Sequence, residues 1–255
     1  MLNIQQLTYL LTVGLFLIAT QPTIAESSAN IPTPTKTNRS KSQRIIFKLP
    51  PNDGKPKSTL SAGSRGDWQC PQDATSTTTL SKQYPLMVLV PSDSNYGLTS
   101  AEHPTFLVYL PQTSAKQLIL SFMEEDNQLY SQTFIPIQGK PGIVSIKSAN
   151  NSPSLKVGKT YKWALVLVCG EKASPNDPVV TSWVRRVPLA QPQSHHKASL
   201  EQANTYSQQG IWYDAVLALA QIKNAQPDNQ AIADIWADFL KSAGLEAIAT
   251  QPLRF

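Results

Sequence analysis

Between residue 44 and about residue 187, apolar side chains recur at every second position in short runs broken by turn-forming clusters. Leu118, Leu120 and Phe122 fall on one side of such a run, and Phe106, Val108 and Leu110 on one side of another. A period of two belongs to half-buried strands, so the pattern predicts strands at residues 44–48, 80–90, 105–110, 117–124, 129–137, 143–147, 161–169 and 179–187. Pro50-Pro51-Asn52-Asp53-Gly54, Gly139-Lys140-Pro141-Gly142, Asn150-Asn151-Ser152-Pro153 and Pro175-Asn176-Asp177-Pro178 punctuate the runs. Glu124-Glu125-Asp126-Asn127 reads as the turn of a hairpin. Short strands with no helical period between them argue for an antiparallel β-sandwich of Ig-like architecture over residues 44–187.

After a linker at 188–196 the period lengthens to that of a helix. Residues 198–209, 211–225 and 229–243 read as three helices stopped by Gly210, Pro227 and Gly244. The class is therefore mainly β with a C-terminal α appendix at 197–255. Ala203, Tyr206, Gly210, Trp212, Ala215, Leu219, Ile222 and Pro227 follow the spacing of one tetratricopeptide repeat. A single repeat cannot bury its own apolar face. Trp212, Trp236 and Phe239 are thus expected to pack on each other or on the sandwich, and Tyr206, Trp212 and Tyr213 mark the helices expected to contact a partner.

The N-terminus changes the compartment. Residues 7–19 form an almost unbroken apolar run, too short for a bilayer span, which needs about 20 residues. It suits the core of a signal peptide over residues 1–25, cleaved after Ala25, with retention as an uncleaved anchor the alternative. Residues 26–43 are polar, carry Pro32 and Pro34 and show no period, the composition of a disordered linker. An exported chain meets oxidising conditions, so the only two cysteines, Cys70 and Cys169, are expected to be bridged. The expected location is the periplasm or the outside of the cell, with no membrane span once the signal is removed.

Charge adds little. The net +5 survives signal removal, because residues 1–25 contain no charged side chain. A basic surface can attract anionic polymers, but export argues against nucleic acid. Lys36, Arg39, Lys41 and Arg44 are read as solvated linker charges.

Catalytic chemistry finds no footing. Ala62-Gly63-Ser64-Arg65-Gly66 is not a G-x-S-x-G elbow; it reads as a tight turn aiming Arg65 at a carboxylate, or as an anion-binding turn. The three histidines, His103, His195 and His196, have no metal-ligand spacing, so no metal is expected. No nucleotide or cofactor fingerprint occurs and no cofactor is expected. Trp183, beside Arg185-Arg186, is the tryptophan least committed to the core. Arg65, His103 and Trp183 are accordingly the binding candidates, and the chain is read as a non-enzyme.

Ala62-Gly63-Ser64-Arg65-Gly66, Gly97-Leu98-Thr99 leading into His103-Pro104-Thr105-Phe106, Pro141-Gly142-Ile143-Val144-Ser145, Gly158…Tyr161-x-Trp163 and Gly210-Ile211-Trp212-Tyr213-Asp214-Ala215 together resemble a cyanobacterial family of exported proteins, domain of unknown function 928. The resemblance spans about residues 45–253 and brings no established activity. The expected function is a binding or scaffold module of the cell envelope that contacts a protein partner through loops and the helical hairpin. An envelope carbohydrate-binding protein, or an unrecognised cell-wall hydrolase, is the alternative.

Overall fold

A computed structural model describes residues 44–48, 56, 59, 69–73, 84–189 and 198–255, and among these residues nine strands form two sheets accompanied by three α-helices. The expected signal peptide, the 26–43 linker, Arg65 with its loop, and residues 190–197 lie outside the described residues. The described residues, all of which lie between 41 and 255, form a single compact unit.

The strands are β1 (Met87–Val88), β2 (Tyr96–Thr99), β3 (Thr105–Leu110), β4 (Gln117–Met123), β5 (Leu129–Pro136), β6 (Gly142–Lys147), β7 (Thr160–Val168), β8 (Val179–Arg186) and β9 (Leu253–Arg254). One sheet has the order β1-β3-β6-β9, the other β2-β8-β7-β4-β5. The alternation read from the sequence places the core as expected: Leu118, Leu120 and Phe122 of β4 are buried, opposite Leu167, Leu165 and Trp163 of β7. The sheets meet face to face where Phe106 of β3 stacks on Trp163, with ring centroids 4.4 Å apart, and touches Phe122 at 5.7 Å.

Three strand expectations need correction. The sheets are mixed, since β2 runs parallel to β8 and β9 parallel to β6. Both unforeseen strands are too short to show a period. Residues 44–48 form no strand. Their backbone is satisfied by helix side chains instead, Ser207 Oγ donating to Ile46 O at 2.8 Å and Phe47 N–H to Ser242 Oγ at 3.2 Å. Of 80–90, only Met87–Val88 pairs among the described residues.

The helices are α1 (Leu200–Gln208), α2 (Trp212–Ala225) and α3 (Gln230–Ser242). Ser199 and Asn229 cap the starts of α1 and α3 by accepting from Gln202 N–H and Ile232 N–H. Gly210, at φ +72°, ends α1 in a left-handed turn, with Ile211 N–H donating to Tyr206 O and Gly210 N–H to Ser207 O. No helix among the described residues is long and apolar enough to cross a membrane.

The helices share one core with the sheets. α2 closes the side of the sandwich between β2 and β3. Gly97 of β2 permits this approach, because a Cβ there would lie 2.9 Å from Tyr213 Cε2 and 3.1 Å from Trp212 Cβ. The Tyr213 ring then meets Phe106 edge-on at 4.8 Å. Its hydroxyl accepts from Trp163 Nε1–H at 3.0 Å and donates to Trp183 O at 3.0 Å.

Candidate functional site

The turn after β2 and the first two helices build the site. Arg186, at the end of β8, fixes the turn. Its guanidinium donates to Ser100 O at 3.4 Å and Leu155 O at 2.8 Å and pairs with Glu102 at 2.9 Å. Val187 N–H donates to Thr99 O at 2.8 Å. Across from this turn, α1 contributes Gln202 and Tyr206, and α2 contributes Asp214, Leu217, Ala218 and Gln221. These faces enclose a groove of about 610 Å³, completed by His103, Lys147, Leu189 and Ala198.

Three of its groups are chemically distinctive. His103 Nε2 lies 3.3 Å from Ser154 Oγ, while its buried Nδ1 has no hydrogen-bond partner among the described residues. Asp214, in the first turn of α2, accepts from Ser100 N–H at 2.8 Å. Burial raises its carboxyl to about 6, against hydrogen bonds from Thr99 and Ser100 that pull it down. Burial, and secondarily the nearby Asp214 charge, also raise the Tyr206 hydroxyl above its ordinary value.

Asp214 sets a pH dependence. Its carboxyl holds its proton more tightly folded than at the ordinary value of 3.8, so the folded chain binds more protons between those two values. Its contribution to stability is full below about pH 4, falls as pH rises through about 6, and is constant above that. Asp214→Asn keeps a carbonyl for Ser100 N–H and removes the buried charge. Its thermal midpoint should therefore lack this decline and exceed that of the unaltered chain at neutral pH. Parallel midpoint-versus-pH curves for the two proteins would exclude the assignment.

The residues marked in the sequence divide. His103 and Tyr206, chosen for unrelated reasons, line the same groove. Trp212 and Tyr213, which mark the helices expected to contact a partner, are themselves buried against β2, β3 and α3 and serve the core. Trp183 lies on β8 beside Tyr96 and Lys162 and is not a lining residue of the groove. Arg65 lies outside the described residues. Cys70 and Cys169 are bonded. Asp214 was missed, although it stands as the single charge in the apolar stretch from Ile211 to Ile222. Among the described residues no group of three or more His, Cys, Asp or Glu side chains could hold a metal ion.

Fold and groove together define a two-sheet β protein with an integral helical layer and a ligand-sized depression at the junction. The chain belongs to the family described as Domain of Unknown Function (DUF928), whose model matches residues 60–253. Among solved structures, the CARDB domain of a Pyrococcus furiosus protein, determined in complex with di-metal ions, is similar at 14% identity. The match covers 44% of this chain and 100% of that one, with a TM-score of 0.23. No curated protein matches the chain.

Proposed function

We propose that the protein is an exported, non-catalytic binding module of the cyanobacterial cell envelope, and that a polypeptide segment of a partner seats in the groove between the 100–103 turn and α1–α2. The observation that carries this reading is the groove itself. Its volume of about 610 Å³ falls within the range of ligand sites. Its lining mixes Leu189, Leu217 and Ala218 with the amides of Gln202 and Gln221, the Tyr206 hydroxyl and His103. Alternating apolar and amide contacts suit a peptide backbone and its side chains.

The tetratricopeptide-like spacing of α1 and α2 supports a role in protein contact, and Ala203 and Ala215, its small positions, are both fully buried. The Cys70–Cys169 bond is compatible with an oxidising compartment. Glu102 is engaged by Arg186, and His103 lines the groove beside it.

Affinity capture from an envelope extract tests the proposal with two groove variants, His103→Ala and Leu217→Glu. Leu217 also packs, partly buried, against the shared core, so the thermal midpoint of each variant is measured alongside to confirm that it is folded. The protein captured by the unaltered chain should bind each variant at least about tenfold more weakly, a loss of about 1.4 kcal/mol or more. Equal capture by all three proteins would remove the groove from the function. Retention on peptidoglycan in high salt, with loss in both variants and no protein partner, would replace the peptide by a glycan.

A further inference from the structure

We infer that the free edge of β5 is a self-association surface, through which two copies of this chain join their five-stranded sheets. β5 terminates the order β2-β8-β7-β4-β5, and among the described residues nothing pairs with its far side. The opposite edge is treated differently: every residue of β2 is buried, and α2 packs against it.

The hydrogen-bonding phase of the edge follows from one bond. Ile137 N–H donates to Lys116 O, in register with the β4–β5 pairing. Backbone groups alternate sides along an antiparallel strand, so Ser131, Thr133 and Ile135 turn theirs toward β4. Gln132 and Phe134 consequently present their N–H and C=O groups outward. Pro136 presents only a carbonyl.

A two-fold axis through Thr133 matches these groups to themselves. Gln132 exchanges both bonds with Phe134 of the second copy, and Phe134 with its Gln132. Centring the axis on Thr133 sets Pro136 opposite Tyr130, beside the bulge, whereas centring it on Phe134 would set Pro136 opposite Gln132 and leave one complete exchange in place of two.

The side chains favour the same partner. Sheet edges are commonly guarded by charge, yet β5 has no charged residue in a chain of net charge +5. Self-pairing therefore sets no like charges in opposition. On the outer face, Val179, Val166, Ile119 and Phe134 form a continuous cross-strand row leading to this edge. Phe134, at the end of that row, is 58% exposed, and Leu129, paired with Met123 at the other end of β5, is 61% exposed. In a two-fold pair the row would run on into the second copy.

Light scattering coupled to size-exclusion chromatography tests this on the purified protein at micromolar concentration. The unaltered chain should have twice the mass of one chain. Phe134→Lys places a charge at the edge and should give a folded monomer with an unchanged circular dichroism spectrum. Gln132→Pro removes one edge donor without adding charge, at a position where edge strands tolerate proline, and should weaken the dimer at least tenfold. A monomeric unaltered chain would overturn the inference and leave the edge to a foreign strand. A dimer untouched by both variants would overturn it equally.

Discussion

Replacing Cys70 and Cys169 together by serine should lower the free energy of unfolding by about 4–5 kcal/mol. The bond joins residues 99 apart in sequence, so its removal restores to the unfolded chain the freedom of a very long loop. It also anchors the short turn Pro71–Asp73, whose Asp73 accepts from Thr113 Oγ1 at 2.7 Å and Ser114 N–H at 2.9 Å. These contacts tie the turn to the start of β4 but are few, and the covalent link supplies what they do not. Denaturant unfolding of the double variant and of the reduced, unaltered protein should show the same loss. A difference below about 1 kcal/mol would mean that noncovalent contacts already hold Cys70 in place.

Trp212→Ala should cost about 3–5 kcal/mol, the range for truncating a large buried aromatic. Trp212 is fully buried, stacks on Phe239 with centroids 5.0 Å apart and meets Phe47 edge-on at 4.8 Å. Its Nε1–H donates to Leu89 O at 2.7 Å, beside β1. One ring thus joins α2 to α3, to the segment at residues 44–48 and to the first sheet. Alanine opens a cavity among all four and leaves the Leu89 carbonyl without its donor. Trp212→Phe separates the two effects: it keeps most of the volume and should lose only about 1–3 kcal/mol, chiefly from the stranded carbonyl. Equal losses for the two substitutions would contradict the cavity argument.

These two effects show why the helices cannot be treated as an attachment. Tyr213 puts its ring beside Phe106 and its hydroxyl on Trp163, at the centre of the sandwich. Deleting residues 197–255 to test partner binding would remove part of the sheet core with the supposed docking element. Point substitutions in the groove avoid that confusion.

The interior of the fold was legible because burial imposes a period. β3 lies over 105–110 as predicted, and β4 to β8 and the three helices fall within two residues of their predicted bounds, since alternating or helical apolar spacing extends over enough residues to register. β2 and β9 escaped because four and two residues cannot display a period. Parallel pairing escaped for a different reason: strand direction depends on the path of the chain between elements, which local pattern does not encode. Residues 44–48 carry the alternation of a strand, yet their carbonyl and N–H groups bond to helix hydroxyls, a tertiary choice open only once α1 and α3 are in place. In the groove, His103 was visible as a scarce residue at a strand entrance, and Tyr206 as a repeat position. Asp214 was visible only as an oddity, because its meaning rests on the Thr99 and Ser100 groups that face it from more than a hundred residues away.

Three tryptophans have their indole N–H groups bonded within the interior: Trp163 to Tyr213 Oη, Trp212 to Leu89 O and Trp236 to Ala249 O. They stand at the sheet–sheet contact, at the junction of sheet and helix, and between α3 and the turn that follows it. Intrinsic fluorescence is therefore a built-in gauge sampling three separate regions in a single spectrum. Single tryptophan-to-phenylalanine replacements would reveal whether the helical layer melts ahead of the sheets or in step with them.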